Sequence, residues 1–271
     1  MPLQIIPRNL TDDATLSVVP AAVLGLGADN LQISDRGLVM RVLGDTATIA
    51  ATMPQLRRIG GVVLWRHTLS VVATLRVRVY DDVAGTGTLL YDSGVIPALP
   101  SERLGELDWG IDTLGAPLAG VDFSSVIFPV AIARSLVIDV VDTGAAQVQV
   151  GRLFVGSPIT LTYAIDWDSS VQWDSNTKSD RTAGGGLRVE SEGVYRRMRF
   201  SQSWITPDER VVIADLLRDA GNRAEVWVSQ RAGEGGRFEA DHAMVGYLTQ
   251  NPALTRSQGI RYGTEFEIEE S

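Results

Sequence analysis

The sequence predicts a mainly β protein: an N-terminal β-sandwich, then a smaller β-sandwich or α+β domain with one main helix at about 207–220. Three observations predict it. Residues 31–157 carry many short runs of Val, Ile and Leu between Gly, Pro and Asp turns, with no helical repeat. In residues 194–204, Val194, Met198, Phe200 and Trp204 alternate with Tyr195, Arg197, Arg199, Ser201 and Ser203. That two-residue period marks a half-buried strand, although Arg196 and Gln202 interrupt its apolar side. Thr206-Pro207-Asp208-Glu209 then opens a helix. Thr206 caps the free amides, Pro207 suits the first turn and Glu209 completes a capping box. Val212, Ile213, Leu216, Leu217 and Ala220 form one stripe, and Gly221 is placed to end it.

Taken in order, residues 1–30 read as an N-terminal arm in which Leu3–Ile6 is a candidate edge strand. Residues 31–157 read as the sandwich. Val71–Tyr80 alternates well, and Asp142-Thr143-Gly144-Ala145 is a hairpin turn of the small, polar kind. Residues 158–271 read as the second domain, entered through Ile159–Ala164 and a long Asp-, Ser- and Gly-rich loop at 166–186. Loops of that length inside a compact domain often touch partners. Beyond the helix, Ala224–Val228, Ala243–Leu248 and Gly259–Glu269 read as strands.

The chain has 271 residues, a formal charge of −9 and no cysteine. Disulfides and thiolate metal sites are excluded. The acidic balance argues against a nucleic-acid surface, which needs a clustered basic face. Lys178 is the sole lysine, the other cations being arginines. No run of about 18 apolar residues offers a membrane span. The opening Met-Pro-Leu-Gln has no basic stretch followed by an apolar one, so a soluble protein made in the cytoplasm, without a signal peptide, is expected.

Motifs for chemistry are sparse. His67 and His242 are the two histidines and fall in different expected domains, as ordinary structural residues do. No Gly-x-Ser-x-Gly elbow occurs, and no Gly-Lys-Ser/Thr follows Ala183–Gly186. Asp166, Asp168, Asp174 and Asp180 lack the spacing of a calcium loop. Of the six tryptophans, Trp204 and Trp227 are read as core. Trp167 and Trp173, set in the near-repeat Asp166-Trp167-Asp168-Ser169 and Gln172-Trp173-Asp174-Ser175, are read either as anchors for a protein partner or a sugar, or as indoles folded back onto their own domain. The candidate partner-binding residues are therefore Trp167, Trp173, Asp166, Asp168 and Asp174. No catalytic residue, cofactor or metal is expected.

Two resemblances bear on function. The hairpin from Ala133–Val140 into Val148–Gly156 resembles the last strands of galactose-binding-like jelly rolls, which implies a jelly roll over residues 31–157. Arg196–Phe200, Trp204–Glu209, the Val226-Trp227-Val228 strand and Tyr262 with Phe266–Glu270 resemble segments of bacteriophage tail-tip proteins, of the distal and minor tail kind. Arg76–Gly94 resembles accessory sandwich domains of phages. The tail resemblance implies a tube-like β domain flanked by a helix, building rings by sheet extension. The order of domains is the reverse of that in typical distal tail proteins. The expectation is thus a non-enzymatic structural protein of the virion tail tip, present in host cytoplasm during assembly. Its partners would be copies of itself and other tail proteins (tube, hub, tape measure). The alternative is a carbohydrate-binding module that attaches to host-surface glycan.

Overall fold

The structure is a computed structural model that describes residues 3–103, 105, 115–181, 185–219 and 221–271. Its strands begin with β1 (Gln4–Ile6), β2 (Thr15–Val19), β3 (Met40–Leu43) and the long β4 (Thr46–His67). β5 (Thr74–Tyr80), β6 (Leu89–Asp92), β7 (Ile96–Pro97), β8 (Phe123–Val141) and β9 (Gln147–Gly156) follow. The remainder holds β10 (Ile159–Thr160), β11 (Ser170–Arg181), β12 (Leu187–Ile205), α1 (Pro207–Asp219) and β13 (Glu225–Ser229). It ends with α2 (Gly236–Asp241), β14 (Ala243–Leu248), β15 (Thr255–Gln258) and β16 (Arg261–Glu270).

These strands make two antiparallel sheets, so the expected mainly β class with one main helix holds. In the first sheet β4 and β8 pair along nearly their whole length. One half of this ladder is flanked by β2 and β5, the other by β9 and β3. Irregularities at Thr52/Arg57 and Ile59/Gly61 divide it. Inward residues are odd-numbered before that point (Ala47, Ile49, Ala51) and even-numbered after it (Val62, Leu64), and all join one core. Bulges that flip side-chain parity let one ladder supply both layers of a sandwich.

The second half of β4 and most of β9 are buried on both faces. Val62, Leu64, Leu153 and Val155 face the first core, while Val63, Trp65 and Phe154 face a second. The second core is closed by the other sheet, in the order β10-β1-β13-β14-β16-β12-β11, with β15 beside β16. Trp227, Phe200, Phe266 and Met198 come from that sheet, and Ile213 and Leu216 from α1. Thr206 and Glu209 form the expected capping box, and Gly221 takes φ 51° after the helix.

Several details correct the sequence reading. The arm is not loose: β1 lies between β10 and β13, and Leu3, Ile5 and Ile6 are core residues of the second sheet. The loop expected at 166–186 is largely β11, paired with β12 as a hairpin. Its strand character comes from that ladder, which its polar sequence conceals. Val71 and Val72 sit in an exposed turn, and the strand starts at Thr74. Phe123–Val141 forms one continuous strand, β8. Val194 and Trp204 are exposed, whereas Arg196 and Gln202 point inward, Arg196 lying over the ring of Trp65. Val212 is also exposed, so the buried stripe of α1 narrows to Ile213 and Leu216. Trp109, Ala183, Gly184 and Ala220 lie outside the described residues.

A buried ion pair ties the sheets together. Arg152 of β9 donates to Glu225 of β13 through Nε (2.9 Å) and Nη2 (2.6 Å), both side chains being almost fully buried. Asp12 meets the same guanidinium at 2.9 Å, and burial raises its pKa against the pull of Arg152. Arg152→Met is expected to cost about 3–5 kcal/mol, because Glu225 would remain buried and uncompensated. Arg152→Met combined with Glu225→Leu should recover most of that loss. Urea denaturation of the three variants checks it, and losses that merely add would show that the two charges are not coupled.

Candidate functional site

The described residues offer few enclosed polar clusters, and the most triad-like one is structural. His67 Nε2 lies 2.7 Å from Ser124 Oγ, with Asp142 electrostatically near. The Leu69 N–H donates to His67 Nδ1 at 3.4 Å, so the neutral ring carries its proton on Nε2 and donates to Ser124. Ser124 in turn donates to the Ala98 carbonyl. A nucleophile would need the opposite direction, with the ring accepting the hydroxyl proton. Asp142 is occupied by the Ser70 N–H and hydroxyl. His242 stacks on Phe238 far along the chain, in keeping with separate structural roles. No group of three or more metal-ligating side chains occurs among the described residues.

The five residues expected to bind partners fall along one flank of the second sheet. Asp166 and Asp168 both bond to β12. Asp166 accepts from Ser203 Oγ at 2.6 Å and donates its own N–H to the Ser201 carbonyl. Asp168 accepts from the Ser201 hydroxyl. Together they clasp the 163–169 segment onto β12. Asp174 accepts from Gln172 and faces Arg197 at 3.5 Å. The two indoles are outward: Trp167 is fully exposed and Trp173 is 56% exposed.

β11 is the terminal strand of its sheet, and among the described residues no strand pairs with its outer edge. Every described side chain from Ser175 to Val189 is exposed, so this part of the β11–β12 hairpin stands in solvent on both faces. Leu187, Val189 and Val194 add aliphatic surface to it. An edge of this length is a template for pairing with another chain. The sequence reading missed a second exposed group, Tyr163, Trp204 and Arg261, in which the guanidinium lies 5.2 Å from the Tyr163 ring and 5.9 Å from the Trp204 ring. A two-residue period carried through Gln202/Ile205 places Trp204 in the core, but the ladder is irregular there and Trp204 faces outward.

Burial depresses the His67 pKa from 6.5 to about 4. The folded state then binds fewer protons than the unfolded state between those values, so stability rises with pH across that window. The contribution is complete above pH 6.5 and is lost as pH falls toward 4, on the order of 3 kcal/mol in all. Comparing His67→Gln with the parent by denaturant unfolding from pH 4 to 7 checks this. The variant should show the shallower dependence.

No protein-family model matches the chain, and no curated protein matches it. Among solved structures it is similar to a chitosan-binding module of a chitosanase/glucanase from Paenibacillus sp. IK-5, at 12% identity and a TM-score of 0.39. That match covers 55% of this chain and 98% of the module. The lectin domain of lectinolysin, complexed with Lewis b antigen, gives 15% identity and 0.39 over 55% of this chain and 96% of its own. A fucose-binding module of Streptococcus pneumoniae gives 12% and 0.38 over 55% and 94%.

Proposed function

We propose that this protein is a structural subunit that builds into a larger particle, as a tail-tip or minor tail component of a tailed phage. The observation that carries the reading is the β11–β12 hairpin, with its unpaired edge and its two solvent-facing sides. A two-stranded ribbon is marginal in water by itself, and a third strand or a covering face stabilises it. The opposite flank of the sheet ends in β10, a different surface. A contact from one flank to the other is head-to-tail, and such contacts close into rings when the rotation permits. Trp167 and Trp173 stand along the β11 flank, the residue type that most often anchors interfaces. The assignment to phage tails in particular draws on the sequence segments at 196–209 and 262–270.

A second reading is attachment to a surface glycan through the sandwich. In its favour is a polar outer face where Arg76 holds Asp92 at 2.6 Å and Arg78 holds Asp139 at 2.6 Å. Such planar groups suit hydroxyl-rich ligands. Among the described residues between Val19 and Val141, the exposed large apolar side chains are all aliphatic, and Trp109 of that stretch lies outside the described residues.

Sedimentation over a concentration series, with negative-stain imaging, tests the first reading. The full chain should form discrete oligomers. Trp167→Ala with Trp173→Ala should weaken them at least tenfold while changing unfolding stability by less than about 0.5 kcal/mol, since both side chains are exposed. A chain that stays monomeric at every concentration, yet is retained selectively on a glycan array, would favour the second reading.

A further inference from the structure

On the second sheet, away from the sandwich, a groove of about 510 Å³ runs between β12, β16 and the 250–255 segment. That size lies within the range of small-molecule sites, about 300–1,000 Å³. Its lining is dominated by uncharged hydrogen-bonding side chains: Gln202, Ser203, Gln250, Asn251, Thr255 and Thr264. The one carboxylate among the lining residues, Glu265, is already ion-paired with Arg199.

Two of these side chains are incompletely satisfied. Gln202 and Thr264 face each other across the β12–β16 ladder and are 1% and 6% exposed. Gln202 donates to the Tyr163 carbonyl at 3.3 Å, but among the described residues neither its Oε1 nor Thr264 Oγ1 has a hydrogen-bond partner. A buried polar atom without a hydrogen bond costs on the order of 1–3 kcal/mol, so its presence beside a groove calls for a donor or acceptor from outside the chain.

The lining discriminates among ligand classes. Charged ligands find no uncompensated charge. Apolar side chains in the lining are limited to Pro252 and Ala253, too small to hold a purely apolar ligand. An extended peptide needs a free backbone ladder, but β16 is paired on both sides here, with β12 and β15, and the Ser201 carbonyl on the far side of β12 is taken by the Asp166 N–H. Side-chain amides and hydroxyls in this number suit a ligand with many neutral hydroxyl groups. We infer that this groove binds a neutral saccharide, with Gln202 and Thr264 pairing to its hydroxyls after a small side-chain adjustment.

Saturation-transfer NMR on the full chain, with neutral trisaccharides of glucose, galactose and N-acetylglucosamine as probes, tests this. At least one probe should receive saturation at its ring protons. Thr264→Val should weaken that probe about tenfold without lowering the melting temperature, because the hydroxyl it removes bonds nothing in the free protein. Ala253→Trp, which fills the groove from an exposed position, should abolish binding even if the first variant folds poorly. Absence of transfer from all three probes at about 10 mM would overturn the inference, since this corresponds to the weakest useful affinities. Binding that persists unchanged in Ala253→Trp would also overturn it. Neither outcome bears on assembly through the β11 edge, which the sedimentation series reads separately.

Discussion

The central constraint is a stretch of sheet that has no solvent face. In β4 and β9 both parities are apolar, so Leu64 and Leu153 serve one core while Trp65 and Phe154 serve the other. Burying both faces is ordinary for parallel sheets and unusual for antiparallel ones, which commonly leave one side wet. Here it means that the sandwich and the second sheet complete each other. Close packing at the junction demands glycine. A Cβ on Gly156 would sit 2.4 Å from the Ile6 side chain and 2.7 Å from the Arg8 carbonyl. The Arg152–Glu225 pair crosses the same junction.

With the interior so committed, the chemistry available to other molecules lies at the periphery of the second sheet. The Ser124–His67 pair shows the contrast: its geometry is that of a catalytic dyad, but its protons run from ring to hydroxyl to carbonyl. It holds the segment around Ala98 against β8. The outward features are of another kind: an unpaired edge, exposed indoles and a polar groove, all suited to holding something in place.

Much of the architecture could be read from residues. The capping box at Thr206 and Glu209, the strand containing Trp227 and the alternation of β5 are local signals, and local signals survive translation into structure. The run Val62-Val63-Leu64-Trp65, apolar at both parities, carried the mark of two-sided burial, but nothing local says what covers the second face. β11 was hidden because Ser, Asp, Asn and Thr dominate it and its order comes from pairing with β12. The same limit applied to the candidate site. Trp167 and Trp173 were identifiable as indoles in polar surroundings, and both are exposed. Trp204 was misplaced because an irregularity in the ladder shifts the period by one residue. Gln202, noted only as a break in an apolar face, turned out to border the groove, since an unsatisfied oxygen is a tertiary fact.

The position of β1 has a kinetic side. Gln4, Ile5 and Ile6 take their register from Ser229, Val228 and Trp227, more than 200 residues downstream. Long-range antiparallel pairing of this sort is slow to form because a very large loop must close first. During synthesis, β1 stays without that neighbour until most of the polypeptide has left the ribosome. The sandwich, whose strands are contiguous from β2 to β9, can collapse much earlier, leaving the outer side of Trp65 and Phe154 wet in the interval. A nascent chain stalled at that stage would present a sticky apolar plate, the kind of surface that chaperones recognise and that drives aggregation when expression outpaces them.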